Sequence, residues 1–273
     1  MPKMIIHDYE IPCKGVQKKI LYHFSDLHLS MADELSSDAE RQAAERNTAS
    51  WREGRKHFAR STGEPCDEEQ LIEAEAHFEN LMQKAQEDGD ALLIAGDLFD
   101  HVTGADIRWF EKRFSHLAIP YLLACGNHEN PTKIPDNCAL ARIKQPVQTL
   151  DLGDLVIMTF ENSQRVITKV QIDALMSQLT QGKPIIIAMH IPIQAEHNKA
   201  HKALDEYFRL NHAECSEETK EFVKILYANT DKIVAVLAGH LHFLNVCELT
   251  PGLTQYVSSQ GLLGNINRYI IGE

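Results

Sequence analysis

Short apolar runs, each closed by a cluster of polar residues, constrain the fold of this chain more than any other feature. They are Ile20 to Phe24, Ala91 to Ala95, Tyr121 to Ala124, Leu155 to Phe160, Pro184 to Met189 and Ile233 to Ala238. Runs of this length, rich in β-branched and aromatic side chains, read as buried strands. Glu10 to Cys13, Thr254 to Val257 and Tyr269 to Ile271 are further candidate strands near the two ends. Helical stripes lie between them. Leu71, Ala74, Phe78, Leu81, Met82 and Ala85 share one face, with Asp67 as a cap and Gly89 as a stop. Ile107, Phe110, Phe114 and Leu117 form a second stripe. Thr168 and Gln171 form a capping box ahead of Ile172, Leu175, Met176 and Leu179. Ser216 caps a helix that turns Phe222, Ile225 and Leu226 inward. Strands alternating with helices point to an α/β domain.

At 273 residues the chain can build one large domain or two small ones. We read one domain, 1–273, with two segments that break the alternation. Residues 30–60 are polar, charged and helical, with few apolar anchors; residues 193–215 are polar and rich in His and charge. Both directly follow motifs described below. They are expected to overhang the site as a helical insertion and a lid-like insertion. Solvated surface helices are the alternative.

The formal net charge of −12 argues against a nucleic-acid backbone as partner, since that calls for a basic footprint. It leaves small phosphorylated substrates open, because a bound metal reverses the local field. The six cysteines are scattered without a C-x-x-C pair, which reads as reduced thiols and a cytoplasmic location. The first residues show no apolar leader and no run approaches the ~20 residues of a membrane span, so no membrane association is expected.

Five of the apolar runs end in residues that can carry chemistry. Ser25-Asp26-Leu27-His28 follows the first. In an extended chain, residues two apart share a side, so Asp26 and His28 can hold one ion together. Ala95-Gly96-Asp97-Leu98-Phe99-Asp100 follows the second; Gly96 permits a tight turn, and the Asp97 carboxylate can bridge two cations with one oxygen to each. Cys125-Gly126-Asn127-His128-Glu129 follows the third, offering the Asn127 carbonyl as a ligand and His128 as an acid for a leaving group. His190 ends the fifth run, and Gly239-His240-Leu241-His242 ends the sixth, with both imidazoles on one side. Singly, these read as turns, caps or core histidines. Their shared place after strands, where ligands gather in open α/β sheets, makes them one site.

The ordered set D-x-H, G-D-x-x-D, G-N-H-E, a lone His and G-H-x-H resembles the calcineurin-like metallophosphoesterase superfamily from Asp26 to His242. The resemblance implies two mixed β-sheets packed face to face and flanked by helices, a four-layer sandwich. It implies that Asp26, His28, Asp97 and His242 hold one metal, and that Asp97, Asn127, His190 and His240 hold the other. It further implies His128 as catalytic histidine and Asp100 as the carboxylate that orients it. His101 and Thr103 depart from the protein-phosphatase form of the motif, which argues against a phosphoprotein substrate.

Carboxylate, amide and imidazole donors without thiolate suit two divalent or trivalent transition-metal ions, Mn, Fe or Zn. The expected activity is hydrolysis of a small phosphomonoester or phosphodiester, a nucleotide or cyclic nucleotide among them, by attack of a metal-bridging hydroxide. A DNA exonuclease of the same superfamily is one alternative, and a metal-poor interaction scaffold another. Asn130, His197, His201 and Arg142 read chiefly as loop or surface residues, with contact to substrate as the less favoured role; Trp51 and Trp109 read as helix-packing residues.

Overall fold

A computed structural model describes residues 4–62, 73–195, 198–199, 210 and 215–273. Among the described residues, eleven strands form two mixed sheets. The first holds β1 (Ile5–Ile11), β2 (Lys19–Phe24), β3 (Ala91–Ile94), β4 (Tyr121–Leu123) and β11 (Asn265–Ile271), in the order β1-β11-β2-β3-β4. The second holds β5 (Val147–Asp151), β6 (Val156–Phe160), β7 (Ile185–Met189), β8 (Ile233–Ala238), β9 (Asn245–Thr250) and β10 (Leu253–Val257), in the order β5-β6-β7-β8-β10-β9. Strands β2, β3 and β4 run parallel to one another, as do β6, β7 and β8.

Alternation along the central strands explains the layering. Leu21, Ala91, Leu93, Ala95 and Leu122 of one sheet meet Leu155, Ile157, Ile186, Ala188, Ala235 and Leu237 of the other in a shared apolar core. The intervening residues Tyr22, Phe24, Leu92, Ile94 and Leu123 face outward, onto α2 (Ala74–Asp88) and α3 (Gly104–Phe114). Met158, Phe160, Ile187, Met189 and Val236 face α4 (Lys169–Leu179) and α5 (Glu217–Ala228). Helix, sheet, sheet and helix therefore stack as four layers around three cores, as expected.

Local stops and starts follow the side chains. Thr168 and Gln171 close a capping box on α4, Thr103 and Asp106 close one on α3, and Ser216 caps α5. Gly89 ends α2, whose first turn opens at Glu73; the expected cap Asp67 and the apolar Leu71 lie outside the described residues. Leu117 lies beyond the end of α3. The first strand is Ile5–Ile11 rather than Glu10 to Cys13. Its alternating pattern of half-buried and exposed residues belongs to a sheet edge, where one face stays wet. Most of the long helix α1 (Asp38–Thr62) lies in segment 30–60. Most of segment 193–215, including His197 and His201, lies outside the described residues. No helix among the described residues is long and apolar enough to cross a membrane.

Candidate metal centre

The loops after β2, β3, β4, β7 and β8 meet along one edge of the sandwich, so both sheets contribute to a single site. Backbone hydrogen bonds stitch them together. Asp26 N donates to Gly96 O at 3.1 Å, and Leu27 N and His28 N donate to Asp97 O at 2.9 and 3.0 Å. His240 N donates to Asp26 Oδ2 at 3.0 Å, tying the last motif to the first. Two glycines make the approach possible. Gly96 has φ +88, and a Cβ there would stand 2.6 Å from His190 Nδ1. A Cβ on Gly126 would stand 2.0 Å from Asp97 Oδ1.

Asp26 and His28 do face one centre, but not as neighbours on an extended strand. Their φ angles are 57° and 46°, in the left-handed region. Asp97, His240 and His242 share it, at 49°, 73° and 61°. Non-glycine residues rarely adopt this conformation, and it clusters at functional sites. The tight curl, rather than strand alternation, turns each pair inward.

Asp26, His28, Asp97 and His242 offer ligand atoms within 4.8 Å of one another, and so do Asp97, His190 and His240. Asp97 belongs to both groups. Its Oδ1 accepts the His128 backbone N–H at 2.9 Å. Its Oδ2 lies 3.3 Å from His190 Nε2 and 3.9 Å from His28 Nε2. Oδ2 thus lies toward imidazoles of both groups. Asn127 joins the second group, with Oδ1 at 3.0 Å from His190 Nε2. His28 Nε2 and His242 Nε2 stand 3.1 Å apart, and His240 Nδ1 and His190 Nε2 3.2 Å.

These spacings fit a cation. Two donors at ~2.1 Å from one ion and at right angles stand about 3 Å apart. Asp26 Oδ1 is buried and accepts no hydrogen bond, which is costly for a carboxylate unless positive charge faces it. His190 Nδ1 donates to Ala95 O at 2.7 Å, which leaves Nε2 as the ligating nitrogen.

Electrostatics agree. Burial pushes the Asp26 and Asp97 carboxyls up, but His242 and His190 outweigh it at Asp26, and His190 and His28 outweigh it at Asp97. Both are held well below the usual carboxylate range. Burial alone would lower His190, yet Asp97 and Asp26 raise it to about 9. Burial lowers His28 to about 3, so that imidazole is neutral and ready to ligate.

His128 and Asp100 stand beside the ligands. His128 Nδ1 lies 2.8 Å from Asp100 Oδ1, so Asp100 accepts from Nδ1 and Nε2 is left for other work. That contact accounts for a further acid–imidazole grouping of His28, Asp100 and His128. Burial opposes protonation of His128, but Asp100 and Asp97 win and raise its pKa. His101, with 71% of its side chain exposed, lies 3.8 Å from Asp100.

Four further residues shape the site, none of them assigned a role in it by the sequence. Trp51 of α1 packs against the core as expected and in addition stacks on His28 with ring centroids 3.7 Å apart. Asn162 accepts from His190 N and Ile191 N, both at 3.1 Å, and donates to Ile191 O at 2.7 Å. It follows β6 as the ligand motifs follow their strands, so position alone could have flagged it. Buried Glu129 accepts from Phe99 N and Gly126 N, at 3.1 and 2.8 Å, and locks the β3 and β4 loops together. Ser25 bridges Asp26 and Ser258. Arg142 is not directed to the site: it lies over the Tyr121 ring at 4.3 Å and donates to Gln148. Asn130 caps a short 3-10 turn through Thr132 N. Trp109 packs on Phe78 and Phe99 and donates to Glu75.

A four-layer α/β sandwich with an acid–imidazole centre at its strand ends is the frame of a metal-dependent phosphoesterase. The chain belongs to the calcineurin-like phosphoesterase family, whose model matches residues 20–244. It is accordingly a metal-dependent phosphoric ester hydrolase. Its fold is similar to that of a dimetal phosphatase from Danio rerio, at 10% identity and a TM-score of 0.50, covering 89% of this chain and 88% of that one. A phosphopantetheinyl hydrolase from Mycobacterium tuberculosis matches at 11% identity and a TM-score of 0.45, covering 89% and 90%. A 5'-nucleotidase from Staphylococcus aureus, itself described as putative, matches at 11% and 0.45, covering 90% of this chain and 49% of that one. No curated protein matches the chain in sequence.

Proposed function

We propose that the chain is a dinuclear phosphoesterase that hydrolyses a small phosphomonoester or phosphodiester, with nucleotides and cyclic nucleotides as the first substrates to try. The observation that carries this is the pair of ligand groups sharing Asp97, with the His128–Asp100 pair beside them. Asp26, His28, Asp97 and His242 would hold one ion, and Asp97, Asn127, His190 and His240 the other. Imidazole, carboxylate and amide donors favour Mn, Fe or Zn. Two such ions, when bound, supply charge neutralisation at the phosphoryl oxygens and activate water at neutral pH.

The chain's own residues do the rest. Asp97 Oδ2 keeps the two ligand groups in register, while its Oδ1 fixes the His128 backbone. Asp100 accepts from His128 Nδ1 and favours the protonated imidazole by raising its pKa. His128 can then donate from Nε2 to the leaving oxygen, or stabilise charge on the phosphoryl oxygens. No protein nucleophile is required.

The test is an assay of protein with measured metal content against p-nitrophenyl phosphate, its bis ester and a nucleotide panel in Mn²⁺. Turnover that disappears with chelator and returns with metal is expected. A fully metallated protein that leaves the whole panel intact would overturn the proposal.

A further inference from the structure

Helix α1 reaches the centre through one side chain. The Trp51 ring lies flat on His28, at 3.7 Å and 12° between planes. It meets His128 edge-on, at 5.7 Å and 64°, and lies 5.7 Å from His242. One turn along α1, buried Arg55 donates to Trp51 O at 3.2 Å and to Leu262 O at 2.6 Å. Leu262 N in turn donates to Asp26 O at 3.4 Å. The helix is thereby anchored to the turn that supports the first ligand, and the indole has a fixed seat over the second.

We propose that Trp51 is a positioning residue of this site, an indole supplied by α1 that locks the His28 ring by stacking and holds the His128–Asp100 pair against it. The proposal rests on the phosphoesterase reading above. A stacked indole restricts rotation of His28 about its side-chain bonds, and its edge blocks the swing of His128 away from the ligands. Small losses of alignment at such a pair cost turnover far more than they cost binding.

Trp51→Phe keeps a ring over His28 and removes the N–H; Trp51→Leu removes both. With metal content matched to the wild type, turnover should fall in the order wild type, Trp51→Phe, Trp51→Leu. The last should lose about ten- to a hundredfold in kcat, with KM within threefold. The deficit should grow across aryl phosphates as the leaving group worsens. A KM rise with unchanged kcat would make Trp51 a substrate contact instead, and a kcat within twofold in metallated Trp51→Leu would make it a packing residue; either overturns the proposal.

A second readout is independent of turnover. The chain has two tryptophans, Trp51 and Trp109. Adding Mn²⁺ to the metal-free wild type should quench tryptophan emission in step with binding, and Trp51→Phe, which retains only Trp109, should lose that response. Quenching that persists in Trp51→Phe would remove the indole from the metal centre. A wild type that shows the quench but hydrolyses nothing would sink the phosphoesterase reading and leave the indole's seat over His28 standing.

Discussion

Asp97 is held at φ 49° with its side chain at the point where the two ligand groups meet. Asn tolerates the left-handed region as well as Asp does, so Asp97→Asn removes charge without adding backbone strain. We expect this variant to keep the fold and thermal stability of the metal-free protein. It should lose more than ~100-fold in activity through weakened metal binding; near-normal turnover with metals bound would remove Asp97 from the role of shared ligand. His128→Ala should behave differently. Metal content should be retained while turnover drops ~10²–10⁴-fold, most for poor leaving groups. Metal analysis beside a leaving-group series separates the two variants. The candidate ligand residues were legible in the chain because their types and order are restrictive. Their conformation was not: five of these residues lie in left-handed backbone and carry no mark that separates them from residues on an extended strand.

Among the elements, α1 is tied to the start of α2 by an ion pair between Arg52 and Glu73 at 2.8 Å. His77 of α2 is buried, and burial together with Arg55 of α1 lowers its pKa to about 4 from an ordinary 6.5. The unfolded chain therefore takes up this proton more readily than the folded one. Stability due to this group is intact above pH 6.5 and lost as pH falls toward 4, by about 2–3 kcal/mol. Denaturation across that range should show a steeper acid loss in the wild type than in His77→Gln. Equal slopes would show that His77 protonates without cost in the fold. Central strands such as β3 and β7 are buried on both faces and announce themselves as continuous apolar runs. Strands β1, β5 and β9 lie at sheet edges, alternate in exposure and carry His, Asp, Glu, Gln and Thr, so they look like loops. Helix α1 was visible as a helix and Trp51 as a packing residue, yet nothing in the polar sequence around it pointed to His28 as its partner.

At the scale of the whole molecule, the centre joins two sheets that also share an apolar core and a hydrogen bond from Gln148 Nε2 to Leu123 O at 2.6 Å. Asp26, His28, Asp97 and Asn127 come from the first sheet; His190, His240 and His242 come from the second. Ions that bind this arrangement and not the unfolded chain stabilise it by mass action, by about 4 kcal/mol at a thousandfold excess over the dissociation constant. Exhaustive chelation should lower Tm by several degrees, and Mn²⁺ or Zn²⁺ should restore it in a concentration-dependent way. A melting curve indifferent to chelator would mean that the two sheets do not rely on the ligands to stay together.

The order β1-β11-β2 has a consequence for biogenesis. The last strand, Asn265–Ile271, is seated between the first two, parallel to one and antiparallel to the other. On the ribosome, β1 and the adjoining edge of β2 emerge early and wait without a backbone partner while the rest of the chain is made. At ~5–20 residues per second that wait lasts about ten to fifty seconds. The turn before β11 also delivers Gly261 N to Ser25 O at 2.7 Å, next to the first ligand. The nascent chain therefore carries an open sheet edge and an unsupported first ligand loop until the same late segment emerges, and its arrival closes both.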